Sequence, residues 1–311
     1  MSKIILPEPL KSGDAIAIIS PAGSVDPAQL EQGLQMIRNK GFEPVLGEHV
    51  YSRFSNGYSY AGTEQERMED ISNALNDPDI KAVWASRGGY GCQHLLRKLK
   101  IKSFKKSPKW YIGYSDNTVI QSYLMKKGYA SVHGQTVKTS SFGVTEESYE
   151  RIFGILAGNL PDYTLLPHSL NRSGEAEGKL IGGNLALVYA LLGTKYSFDF
   201  KDHILFIEDI GENFYALDRM IMSLELAGVF KKIKGLIIGG MTNMGEEKDN
   251  AEYNESFDGL AYRIISEKVS GYKFPVAFGF PNGHIRDNRP LIIGGHLSLK
   301  VGETVSLHFR N

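Results

Sequence analysis

From Ala15 to Val132, short apolar runs alternate with helix-patterned segments. Ala15 to Ser20 (Ala-Ile-Ala-Ile-Ile-Ser) is a continuous apolar run, the mark of a strand buried on both faces. Pro21-Ala22-Gly23-Ser24 turns the chain. Asp26 or Pro27 opens a helix with Leu30, Leu34, Met36 and Ile37 on its apolar face, and Gly41 ends it. Phe42 to Leu46 is the next strand. A strand, a crossover helix and a strand in this order demand a parallel sheet with right-handed connections. The pattern then repeats. A Tyr-, Ser- and Gly-rich loop runs from Tyr51 to Gly62, and a helix from Thr63 to about Leu75 starts with the capping box Thr63 to Glu66. Ile80 to Ala85 is a strand, and a helix through Leu95, Leu96 and Leu99 is expected after it. The strand from Trp110 stops at Ser115 and is followed by a helix ending at Gly128, and Ala130 to Val132 is a further strand.

The rhythm changes after residue 140. A helix (Tyr149 to Leu156) leads into a passage rich in Pro, Asn, Ser and Gly. A chain of 311 residues exceeds what one core usually holds. Two domains are therefore expected, 1–160 and 175–311, with 161–174 as linker. In the second, Gly178 to Ile181 is a strand and Gly182-Gly183-Asn184 opens a helix. His203 to Ile207 is a strand ending on Glu208-Asp209, and a helix follows from about Tyr215 to Leu226. Gly235 to Gly239 is a strand, Glu255 to Lys268 a helix, and Pro275 to Phe280 a strand that stops before Gly283-His284. A terminal hairpin runs from Leu297 to His308.

Acidic and basic residues balance at 35 each without a long like-charge run, which excludes the footprint of a nucleic-acid or membrane-surface binder. The lone cysteine, Cys92, excludes an internal disulfide and a cysteine-rich metal site, and the histidines show no metal spacing. Prolines interrupt the N-terminus before a signal-peptide core, and no apolar run reaches the roughly 20 residues of a span. A cytoplasmic protein without metal or cofactor is the expectation.

Three strands end in polar residues: Ser115, Glu208 and His284. Parallel sheets place ligands at the carboxyl ends of their strands. A serine, a histidine and a carboxylate within hydrogen-bond reach make a nucleophile, a base and an orienter. Backbone N–H groups of the turn at Arg87-Gly88-Gly89 and of Asp116 would bind the oxyanion. Each residue also has a plainer use. Ser115, Asp116 or Asn117 caps the following helix in one reading, and so does Glu208-Asp209. His284 is a turn histidine after Asn-Gly, His133 a satisfied polar residue at a strand end, and Cys92 a small hydrophobe or a thiol whose pKa a helix start lowers.

The strings Arg87-Gly88-Gly89-Tyr90-Gly91, Ile112-Gly113-Tyr114-Ser115-Asp116, Gly182-Gly183-Asn184-Leu185, Leu205-Phe206-Ile207-Glu208-Asp209 and Gly279-Phe280 with Gly283-His284 occur in that order. Together they resemble the L,D-carboxypeptidase family, which includes murein tetrapeptide carboxypeptidases and microcin C immunity peptidases. The resemblance implies an α/β protein with an N-terminal Rossmann-like domain carrying the serine. It also implies a C-terminal β-rich α/β domain carrying the glutamate and histidine, and a homodimer. It further implies a triad of Ser115, Glu208 and His284, oxyanion donors at Gly89 and Asp116, and release of a terminal D-alanine from a muropeptide without a metal. One departure stands after His284, where Ile-Arg-Asp-Asn-Arg-Pro-Leu replaces an apolar run into Leu-Pro-x-Gly.

Arg87, beside Gly88, is the candidate to grip the substrate's terminal carboxylate, since a guanidinium binds carboxylate bidentately. Arg286 and Arg289 are lesser candidates. An immunity-type peptidase would want an aromatic stacking partner at the leaving group. Trp84 and Trp110 fall in predicted strands, which favours the murein reading, while Tyr51, Phe54, Tyr58 and Tyr60 keep stacking open. A catalytically silent binding protein on the same scaffold is the third reading.

Overall fold

The computed structural model describes residues 4–245 and 259–310. The chain forms two compact units, one running to Asn159 and the other starting at Leu160. Among the described residues no helix is long and apolar enough to cross a membrane.

The first unit holds β1 (Ala15–Ile19), α1 (Pro27–Asn39), β2 (Glu43–Leu46), the short pair β3 (Phe54–Ser55) and β4 (Ser59–Tyr60), α2 (Glu64–Asn76) and β5 (Ile80–Ala85). It continues with α3 (Cys92–Leu95), β6 (Trp110–Gly113), α4 (Thr118–Lys126), β7 (Ser131–His133) and α5 (Glu146–Leu156). Its strands run in the order β7-β6-β5-β1-β2. Every pairing is parallel, as the strand-helix alternation requires. Ile16, Ile18, Val83, Trp84, Tyr111 and Ile112 are buried on the two faces of this sheet. Helix α1 starts at a capping box between Asp26 and Gln29, and α2 at one between Thr63 and Glu66. The sequence pattern overstated α3, which is a single turn. Leu96, Leu99, Ile101 and Phe104 are buried all the same, in turns rather than helix. The Tyr51 to Gly62 loop contains the β3–β4 hairpin.

The second unit holds β8 (Asp162–Leu165), β9 (Gly174–Asn184), α6 (Leu185–Ala190), β10 (Ile204–Ile210), α7 (Phe214–Leu226) and β11 (Gly235–Thr242). After these come α8 (Gly259–Lys268), β12 (Val276–Phe278), β13 (Leu291–Ile293), β14 (His296–Val301) and β15 (Val305–Arg310). The expected start of α8, from Glu255, lies outside the described residues. The sheet order is β12-β11-β10-β9-β14-β15-β8. β9 joins its two halves: Leu180–Asn184 pair parallel with β10, and Gly174–Lys179 pair antiparallel with β14. β8 falls within the stretch read as linker and pairs with β15 as an edge strand. β10 does not end before Glu208 but continues through Glu208 and Asp209 to Ile210, all paired in the sheet.

Candidate active site

In the first unit the site begins where β6 stops. Ser115 has a left-handed φ of 61°. A non-glycine residue in that conformation is strained by about 1–3 kcal/mol, and its neighbours must hold it there. The holding groups surround it. Tyr111 Oη donates to Asn117 Oδ1 at 2.6 Å, and Asn117 Nδ2 donates to the Tyr114 carbonyl at 3.0 Å. Gln121 Nε2 donates to the carbonyls of Gly113 and Val132 at 3.0 and 2.8 Å, tying the turn to β7. Asn117 therefore braces the turn and makes no side-chain cap for α4. Ser115 is the one residue from Lys109 to Met125 that is not buried. A strained serine offered to solvent at a strand-to-helix turn is how a nucleophile is presented.

The turn after β5 lies against it. A Cβ placed on Gly88 would sit 3.0 Å from Ser115 Cβ and 3.1 Å from its Oγ, tighter than ordinary van der Waals contact. The Gly88 carbonyl accepts from Gly23 N–H at 3.2 Å. Among the described residues the N–H of Gly89 donates to no partner. Asp116 is buried, and its Oδ2 accepts from Cys92 N–H at 2.7 Å. Burial pushes the Asp116 carboxyl up to about 6, against the pull of the N–H groups of Cys92 and Gly91 and of Arg67. Burial raises the Cys92 thiol well above its ordinary value, with Asp116 adding to the effect. Of the two readings of Cys92, the structure agrees with the buried small hydrophobe and not with the lowered thiol.

Arg87 is half-buried, and its Nη1 donates to the Ser24 carbonyl at 3.0 Å, so part of its fork holds the turn after β1. Buried His133 has its Nδ1 3.0 Å from Gln121 Oε1. Trp84 and Trp110 are buried and present no stacking face. Tyr58, Tyr60, Tyr90 and His94 instead form a ring cluster with centroids 5.1–6.0 Å apart, and Phe54 packs on Tyr60 at 6.4 Å. Tyr90 and Phe54 are exposed there.

In the second unit, His284 Nδ1 lies 3.0 Å from Oε2 of fully buried Glu208. With Glu208 ionised the carboxylate only accepts, and Nδ1 then carries the proton and Nε2 the basic lone pair. Gly283 is held at a φ of 124°, and a Cβ on it would meet Glu208 Oε2 at 2.8 Å. Glycine here is what lets the loop bring His284 onto the carboxylate. The loop is fixed to the sheet: Gly240 N–H donates to the Asn282 carbonyl at 2.8 Å, and Asn282 Nδ2 donates to the Arg289 carbonyl at 2.7 Å. Between β10 and β11 the register slips beside Glu208, with Ile207 opposite Ile238 but Asp209 opposite Met241. The extra residue is in Gly239-Gly240, where the His284 loop docks. β-Bulges often re-aim a side chain beside an active site.

Asp209 caps no following helix. It turns to the Gly182-Gly183-Asn184 string, accepting from Asn184 Nδ2 at 2.9 Å, Ala186 N–H at 3.0 Å and Ile210 N–H at 2.9 Å. Burial first and the neighbouring Glu208 second push its carboxyl up to about 7. Sequence reasoning missed this residue's role, although its place in the Glu208-Asp209 string was visible. Arg289 is engaged by Asp287 at 2.9 Å and Arg286 is exposed. Among the described residues no group of three or more His, Cys, Asp and Glu side chains is arranged to hold a metal ion.

Comparison with known proteins bears on both units. Residues 16–134 match the LD-carboxypeptidase N-terminal domain, and residues 177–299 match the LD-carboxypeptidase C-terminal domain. The chain is 31% identical over 285 residues to the murein tetrapeptide carboxypeptidase of Pseudomonas aeruginosa, covering 88% of this chain and 89% of that protein. It is 27% identical over 336 residues to the microcin C7 self-immunity protein MccF of Escherichia coli, covering 95% and 93%. The crystal structure of muramoyltetrapeptide carboxypeptidase from Oxalobacter formigenes matches with a TM-score of 0.82 at 28% identity, covering 96% of this chain and 99% of that one.

Proposed function

The chain belongs to the LD-carboxypeptidase family, and on that premise we propose that it is a serine carboxypeptidase acting on murein tetrapeptides. It would release the terminal D-alanine by cutting the amide between an L-centre and D-Ala, in cytoplasmic recycling of cell-wall peptides. The observation that carries this reading is Ser115, left-handed and unburied against Gly88. The Glu208–His284 pair supplies the matching base and orienter.

The roles follow from the chemistry. Ser115 Oγ attacks the carbonyl carbon of the L-centre as His284 Nε2 takes its proton. Glu208 holds Nδ1–H and stabilises the imidazolium. The N–H groups of Gly89 and Asp116 receive the developing oxyanion, an interaction stronger in the transition state than in the ground state. His284 returns the proton to the D-alanine nitrogen, the acyl bond to Ser115 forms, and D-alanine leaves. Water, deprotonated by His284, then hydrolyses the acyl-enzyme. Arg87 and Gly88 line the substrate side, where the free carboxylate needs a cation. The working unit in this reading is a homodimer, which size-exclusion chromatography with light scattering would test.

A second reading has its own support. The exposed rings of Tyr90 and Phe54 beside the Gly88-Gly89 turn could stack on a planar leaving group, and the MccF relative is named for microcin self-immunity. That reading is a peptidase cutting aminoacyl or peptidyl nucleotide amides.

Mass spectrometry separates the two. The purified protein is incubated with L-Ala-γ-D-Glu-mDap-D-Ala and, in parallel, with an aminoacyl sulfamoyl adenosine. Loss of one D-Ala from the first alone is the expected result, and cleavage of the second alone moves the chain to the immunity reading. Ser115→Ala should abolish turnover while leaving the fold intact. Turnover retained in that variant removes Ser115 as nucleophile.

A further inference from the structure

The turn after β5 and the turn carrying Ser115 are joined by one buried carboxylate. Asp116 is the residue after the nucleophile, and its backbone N–H is assigned above to the oxyanion. Its side chain faces the other way, into the Gly-rich turn. Oδ2 accepts from Cys92 N–H at 2.7 Å. The same turn is gripped from two further sides. Arg67 on α2 donates through Nη1 to the carbonyls of Gly91 at 2.9 Å and Pro21 at 2.8 Å, with its guanidinium over the Tyr60 ring at 5.0 Å. Tyr58 packs edge-on against the Tyr90 ring, with centroids 5.9 Å apart. Of these three groups only Asp116 also belongs to the nucleophile's own turn.

We propose that the Asp116 side chain is a positioning residue that locks the Gly88–Cys92 turn to the Ser115 turn, so that the N–H groups of Gly89 and Asp116 converge on one oxyanion. This rests on the serine-peptidase reading. The physical case is one of shape and of acceptor chemistry. Two donors on separate loops stabilise an oxyanion only if their spacing is fixed before reaction, because reorganisation during the step forfeits the gain. Asp116 spans the two loops by itself, through its backbone on one and its carboxylate on the other. The carboxylate end meets the Cys92 N–H in a buried turn, so an acceptor is required there. An amide of the same shape keeps one acceptor oxygen but puts a donor NH2 in place of the second carboxylate oxygen inside the buried turn.

The test measures the rate at which a fluorophosphonate probe labels Ser115, since the phosphonyl oxygen occupies the oxyanion position whatever the natural substrate. Wild type, Asp116→Asn and Asp116→Ser are compared, with circular dichroism and thermal melting to establish folding. kcat and KM for the D-Ala tetrapeptide are measured in parallel. A folded variant should label at least about tenfold more slowly, with kcat falling by a similar factor and KM changing less than about threefold. Labelling at the wild-type rate in either folded variant overturns the proposal, and so does loss of the fold in both, which would make Asp116 a core residue rather than a positioning one. Slow labelling of the variants in a protein that leaves the tetrapeptide intact supports the lock and removes the murein reading. A wild type that takes no label removes the serine nucleophile and the lock with it.

Discussion

At the residue scale the site depends on one close approach. The Ser115 turn and the Gly88 turn touch at a point where a Cβ would be crowded. Gly88→Ala puts a methyl group 3.0 Å from Ser115 Cβ, tighter than ordinary van der Waals contact. Either the serine rotates or the turn retreats. The contact forces a shift of a few tenths of an ångström, and a full misplacement of about 1 Å costs on the order of a hundredfold in rate. The expected outcome is a kcat drop of at least a few-fold and less than about a hundredfold in tetrapeptide hydrolysis, with little change in melting temperature, because Ser115 is unburied and the turn borders solvent. A variant with wild-type kcat would separate the Gly88 turn from the chemistry. The sequence displayed the string Arg87-Gly88-Gly89-Tyr90-Gly91 and the serine after an apolar strand. It did not display why the glycines are there. The side chains that crowd the turn, Tyr58, Arg67 and Ser115, come from other elements, and spacing along the chain carries no record of them.

At the element scale the difficulty was polar residues inside strands. Glu208 and Asp209 read as the end of a strand because charged residues are rarely buried. β10 runs through both, since each is bonded within the sheet's own surroundings: Glu208 to His284, and Asp209 to Asn184, Ala186 and Ile210. By contrast β1, β5, β7 and the terminal hairpin were legible from apolar runs and alternation, because nothing but burial shapes them. The Asp209 carboxyl, pushed up to about 7, has a consequence for stability. Its unfolded value is about 3.9. Between these values the folded protein binds more protons than the unfolded chain, so its contribution to stability falls as pH rises through that window and is constant above it. Asp209→Asn removes that pH dependence. The melting temperature of the variant should therefore gain on wild type from about pH 4 to about pH 7 and then run parallel to it. A gap that stays constant across the range would mean that Asp209 is ionised throughout.

At the scale of the whole molecule the proposed nucleophile and its base belong to different compact units. Ser115 sits in a parallel-sheet unit, and Glu208 and His284 in a mixed-sheet unit that already holds them 3.0 Å apart. The sequence showed the three residue types at strand ends and the change of rhythm between the units, so the chemistry was legible even where the boundaries of the elements were not. If one reaction uses all three residues, their losses cannot add. A nucleophile without its base and a base without its nucleophile are each about as inactive as the pair removed together. Single variants Ser115→Ala and His284→Ala, and the double variant, should then hydrolyse the tetrapeptide at the same residual rate. Glu208→Gln should retain more activity, because it spoils the tautomer and orientation of His284 but leaves both reacting groups, at a cost of about ten-thousandfold. A double variant slower than either single variant by the product of their separate losses would mean that the serine and the histidine act independently. The serine of one unit and the dyad of the other would then serve different purposes.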